Sequence, residues 1–87
     1  MAQWMIGETY FLQKNYRDAI ISYHRVTRYP RWQAASLLQA AKCRVLLKEP
    51  KEALQLLDQL IQDFPQSEYV EQARTMQSEL AAASPIP

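Results

Sequence analysis

Cys43 and His24 are the only cysteine and the only histidine in the chain, and a nucleophilic or redox role for the thiol would need the imidazole beside it. Nothing in their spacing brings them together. Cys43 sits in a helical pattern after Ala41 and Lys42, so it reads as a small buried hydrophobe. As a lone cysteine it forms no internal disulfide. No Cys-x-x-Cys or Glu-x-x-His arrangement supplies a metal-ligand set. The carboxylate pairs Glu49/Glu52 and Glu68/Glu71 have the side-chain types for acid–base chemistry, yet both fall where first-turn charge stabilises a helix start, and they read as solvated. His24, beside Tyr23, reads as a partly exposed helix residue. The single glycine argues against a phosphate-cradling loop. The sequence thus predicts no enzyme, no catalytic or metal residue and no cofactor.

Arg17, Arg25, Arg28 and Arg31 lie near Tyr29 and Trp32, a combination that could follow a nucleic-acid backbone. The net charge of +1 gives no global positive field to draw one in, and basic residues late in a helix also complement its dipole. Nucleic-acid binding through Arg25, Arg28 and Arg31 is therefore the last of the alternatives. The charge is unevenly placed. Residues 1–48 hold eight basic against two acidic side chains, for +6, while residues 49–87 hold two against seven, for −5.

The elements that carry these residues are helical. Apolar residues recur at spacings of three and four through most of the chain, with no alternating pattern to suggest strands. Five helices are predicted, near 2–13, 16–28, 33–47, 50–63 and 67–82. Asn15 is placed to cap the second, with Asp18 three residues on, and Pro50 suits the first position of the fourth. Pro30 and Pro65 are expected to end helices two and four, and Ser67 to cap the fifth. Residues 83–87 are expected to be a disordered tail. No apolar run approaches the ~20 residues that span a bilayer, so no membrane insertion by this segment is expected.

The chain also repeats itself. At an offset of 34, Trp4 falls on Leu38, Gly7 on Ala41, Leu12 on Leu46, Tyr16 on Pro50, Ala19 on Ala53, Ile20 on Leu54 and Tyr23 on Leu57. The offset then becomes 35, which pairs Tyr29-Pro30 with Phe64-Pro65. The small residues at Gly7/Ala41 and Ala19/Ala53 mark where two antiparallel helices approach closely. A hairpin of this size cannot bury its apolar face alone and must stack on a neighbour. A fifth helix with the stripe Val70, Ala73, Met76 and Leu80 suits the role of a cover, its Glu68, Glu71, Gln72, Gln77 and Glu79 facing solvent.

Ile6-Gly7, Tyr10, Tyr16, Ala19, Tyr23 and Pro30, followed by Ala41, Ala53, Leu57 and Pro65 in the second copy, resemble the tetratricopeptide repeat family. The likeness covers about residues 2–80. It implies an all-α fold, an α-α superhelix of two hairpins plus a C-terminal capping helix. In one domain over 2–82, the first repeat spans about 2–30, the second 33–65, and the capping helix 67–82. The stretches Ala2–Tyr10 and Tyr16–Ile20, the Tyr-Pro and Phe-Pro helix ends and Pro65-Gln-Ser67 look like the bacterial envelope subgroup. That subgroup includes the periplasmic Tol-Pal accessory protein and the outer-membrane assembly lipoproteins. Departures from the pattern are Lys14 and Lys48 where the turn glycine usually stands, so that each must take a left-handed conformation or reshape its turn. Arg31-Trp32 also replaces a Pro-x-Ser cap.

The resemblance implies a protein-interaction scaffold that holds a partner peptide or helix on its concave face. By position that face includes Trp4, Glu8, Phe11, Leu38, Lys42, Val45, Ala73 and Gln77. Trp4, Phe11, Leu38 and Val45 would form an apolar groove flanked by Glu8 and Lys42. Another protein or peptide is the implied partner, and the chain reads as part of a larger protein. The alternative is a homo-oligomerisation or repeat-stacking module with no separate groove, in which the opposite charges of the two halves favour head-to-tail contact or a swapped dimer. The implied location is the bacterial envelope or periplasm, with the cytoplasm as the alternative.

Overall fold

A computed structural model of the chain describes residues 2–26 and 28–83. Five helices follow one another: α1 (Ala2–Leu12), α2 (Tyr16–His24), α3 (Pro30–Leu46), α4 (Pro50–Asp63) and α5 (Val70–Ala83). The described residues hold no strand. Each helix packs on the next along the chain, while α1 meets α3 only sparsely. The result is a layer 42 × 30 × 14 Å across its Cα atoms.

The turns explain why the hairpins match. After α1, the Lys14 N–H reaches the Phe11 carbonyl (3.0 Å) and the Asn15 N–H reaches that of Tyr10 (2.9 Å). After α3, Lys48 bonds Val45 (3.0 Å) and Glu49 bonds Arg44 (2.8 Å) in the same pattern. This paired arrangement satisfies the last carbonyls of a helix and requires a left-handed residue just past its end. Lys14 and Lys48 supply it, each with φ of 62°. The expected strain at both lysines is therefore present, and it recurs at the repeat spacing.

Three helix boundaries differ by more than one residue from those predicted. Pro30 does not end α2; it opens α3. Tyr29, held extended (φ −122°, ψ 127°) as residues before proline are, is the N-cap, and Pro30 occupies the first turn where no N–H is needed. Pro50 behaves as expected at the start of α4, with Glu49 as its N-cap. The second helix stops at His24, because the Arg25 and Val26 N–H groups bond carbonyls three residues back (3.1 Å each), a tight turn that tucks Val26 into the interior. Pro65 does follow the end of α4. Ser67 accepts the Tyr69 N–H on its hydroxyl (3.1 Å), in a turn that delays α5 until Val70. Asn15 is the N-cap of α2 by position, but its side-chain amide donates to Asp18 Oδ2 (2.7 Å) and leaves the backbone uncapped. Of the tail expected at 83–87, Ala83 closes α5 and 84–87 lie outside the described residues.

Two apolar clusters share α3. One gathers Ala19, Ile20 and Tyr23 of α2 with Ala40 and Cys43, and Trp4, Tyr10, Phe11 and Tyr16 pack against it. The other gathers Ala34, Leu37, Leu38 and Ala41 with Leu57 and Leu60 of α4 and Val70 and Ala73 of α5. Burial on two sides explains why α3 is filled by small and apolar residues over 34–41, broken only by Ser36 and Gln39, and its alanines let neighbours approach from both. Met76 and Leu80 complete the expected stripe of α5.

Candidate functional site

Of the residues expected on a binding face, Trp4 and Glu8 come together around Tyr23. The Trp4 ring is tilted against the Tyr23 ring (centroids 5.5 Å, 52°) and against Trp32 of α3 (5.4 Å, 55°). Glu8 is turned inward: its Oε1 accepts the Tyr23 hydroxyl and the Gln39 amide (3.0 Å), tying α1, α2 and α3 at one atom. Burial, with the Glu8 carboxylate beside it, pushes the Tyr23 hydroxyl well above its ordinary range, so it remains a donor. Glu8 is thus a structural acceptor and not the free rim charge that the family resemblance implied. Phe11 meets the Tyr16 ring edge-on (5.6 Å, 72°) within the same cluster.

Leu38 and Ala73 do not join them. At 3% and 0% exposure they are walled into the second cluster, because α5 packs over that side of α3. An apolar groove made of Trp4, Phe11, Leu38 and Val45 is therefore not formed as drawn. Lys42, Val45 and Gln77 are half-buried.

Sequence reasoning set Trp32 only beside the arginine patch and left it out of the binding face, but it stands 37% exposed against Trp4 at the junction of the two repeats. It also missed a cleft of about 590 Å³ between the start of α3 and the α4–α5 turn, walled by Pro30, Phe64 and Pro65 and crossed by the Arg31–Glu68 ion pair (3.1 Å). The signal was present, since Pro30 and the Phe64-Pro65 pair that it matches in the repeat supply that wall.

Several charged residues are engaged with one another. Glu49, expected as a solvated first-turn charge, accepts Arg44 (2.7 Å) and Arg17 (3.0 Å), which in that order hold its carboxyl below the usual range. The cation patch is likewise modified: Arg31 is paired with Glu68, and Arg28 lies 5.8 Å from the Tyr29 ring centre. Cys43 is fully buried, and burial together with the Glu8 charge pushes its thiol up to about 12, so it is protonated at neutral pH. His24 is exposed, and its packed surroundings and the Arg44 charge hold it below its ordinary value. Among the described residues no three His, Cys, Asp or Glu side chains converge on a metal position, and no helix is long and apolar enough to cross a membrane.

A family model described as tetratricopeptide repeat matches residues 10–76, which is 67 of the 87 residues. Neither the curated proteins nor the solved structures contain a match to the chain. Such repeats generally mediate protein–protein interaction and are generally non-enzymatic scaffolds. With its two hairpins in register, its duplicated turns and a match over most of its length, the chain belongs to the tetratricopeptide repeat family.

Proposed function

We propose that the protein is an interaction scaffold that holds a segment of a partner protein, an extended peptide or a helix, along the first helices of its repeats. The anchor is the tryptophan pair at the joint between them. The observation that carries this reading is the Trp4–Trp32 contact, with Trp32 more than a third exposed where two repeats meet. Partly exposed aromatic rings held in place by neighbours offer large contact area at little further ordering cost, and such residues dominate interface energies. Lys42, Val45 and Gln77, half-buried on α3 and α5, extend the contact, and Phe11 borders it. Leu38 and Glu8 act from beneath, as packing and as the tie on Tyr23. The motifs shared with the bacterial envelope subgroup are the reason to seek the partner there.

The test is selection of peptides from a random library on the immobilised chain, followed by titration of the winners against variants. Trp32→Ala and Trp4→Ala should each weaken binding tenfold or more, about 1.4 kcal/mol, with helicity retained for Trp32→Ala. Unchanged affinity in both variants would place the site elsewhere.

A further inference from the structure

We propose that the outer face of α1 is a self-pairing surface, through which two copies of the chain form a two-fold symmetric dimer. On a helix of 3.6 residues per turn, Met5, Ile6, Thr9, Leu12 and Gln13 fall within an arc of roughly 120°. Trp4, Gly7, Glu8 and Phe11 occupy the opposite side, against α2 and α3. The apolar members of the outer arc are open: Met5 65%, Ile6 43% and Leu12 83% exposed. Among the described residues no other helix presents three large exposed hydrophobic side chains.

The repeat shows how the centre of this face is used when it has a neighbour, while Leu46, the counterpart of Leu12 at the end of the face, stays 50% exposed. At the offset of 34, Ile6 matches Ala40 and Thr9 matches Cys43. Both counterparts are fully buried, clustered with Ile20 and Tyr23 of α2. The same face of α1 carries larger side chains and is bare.

Three features fit a second copy as its occupant. First, the face holds no ionisable group, since the one charged residue of α1, Glu8, is turned inward to Tyr23 and Gln39. A two-fold axis sets a surface against itself, so a charge there would meet its own like. Second, the Thr9 hydroxyl is already satisfied by the Met5 carbonyl (2.9 Å), and burying it strands no donor. Third, the far end of the molecule does not fit: α5 exposes Glu71, Gln72, Arg74, Thr75, Ser78 and Glu79, a polar surface with nothing to offer Leu12. Head-to-tail stacking, which the charge asymmetry of the sequence suggested, would mate unlike faces.

Antiparallel pairing about an axis near Thr9 sets Met5 of one copy against Leu12 of the other, and the reverse. Lys14 then lies at opposite ends, roughly 16 Å apart at 1.5 Å per residue, beyond the screening length of about 8–10 Å. The contact is small, so the dimer forms at elevated concentration.

Sedimentation analysis of the full chain from about 1 µM to 1 mM should show the mass rise from 10.2 kDa toward twice that value and stop there. Leu12→Glu, and separately Met5→Glu, should weaken association at least tenfold with an unchanged helical spectrum, because neither residue packs in the interior. Thr75→Glu on α5 should leave it intact. Oxidation of Thr9→Cys should give a covalent dimer, the buried Cys43 staying out of reaction. A monomer throughout the range, growth past the dimer, or association indifferent to both α1 substitutions would overturn the proposal. The tryptophan pair lies on the other side of α1, so this test is independent of the peptide-binding one.

Discussion

Gly7 and Tyr23 stand in the first hairpin where Ala41 and Leu57 stand in the second, and each pair is fitted to itself. A methyl group on Gly7 would come within 2.7 Å of two atoms of the Tyr23 ring. Gly7→Ala gains about 1 kcal/mol of helix propensity, but it overpacks a site where the ring is held by Glu8, at a cost of roughly 1–3 kcal/mol. Net destabilisation is expected in urea unfolding. Adding Tyr23→Leu recreates the combination of the second hairpin and should recover part of the loss, a non-additivity that a double-mutant cycle measures. The small residues of the close approach were legible in the sequence because a position in the repeat defines them. Glu8, Leu38 and Trp32 were not. Where a long side chain ends depends on partners 15 or 31 positions away, and whether a leucine lines a groove or fills a core depends on which helix lies over it.

At the scale of the elements, the two lysine turns are the point of greatest local strain. A left-handed residue with a Cβ costs roughly 1–2 kcal/mol, part of which glycine returns by a looser unfolded chain. Lys14→Gly and Lys48→Gly should each raise stability by roughly 0.5–1 kcal/mol, and about additively, seen as shifted denaturation midpoints at constant slope. The helices themselves, their number and order, were readable from periodicity and spacing, and the left-handed turns were one of the two outcomes that the family resemblance implied. Boundaries beside proline were less so. Proline forbids a helix before it as firmly as it favours one after it, so Pro30 was consistent with either ending α2 or opening α3, and only the extended Tyr29 decides between them.

For the molecule as a whole, the uneven charge of the sequence has an internal use. The three ion pairs among the described residues, Arg17–Glu49, Arg44–Glu49 and Arg31–Glu68, each join a cation of the first half to a carboxylate of the second. Charge that looked like a handle for other molecules is in part engaged internally: Arg17–Glu49 spans the two repeats, Arg44–Glu49 closes the α3–α4 turn, and Arg31–Glu68 joins α3 to the α4–α5 turn. Glu49 gives this a pH signature. Its folded value lies below the ordinary 4.5, so its contribution is complete above about 4.5 and is lost as pH falls through the lower folded value. Thermal melts from pH 7 to 2 should show a steeper acid loss for the wild type than for Glu49→Gln, and high salt should narrow the difference. The double-sided burial of α3 has a consequence in time. The first cluster needs Ala40 and Cys43, which a ribosome delivers after α1 and α2 are finished. At roughly 5–20 residues per second, the 20 residues from Tyr23 to Cys43 take about 1–4 seconds. For that interval the aromatic side chains of the first hairpin emerge with no wall to close on, and it is then that the nascent chain most needs a chaperone.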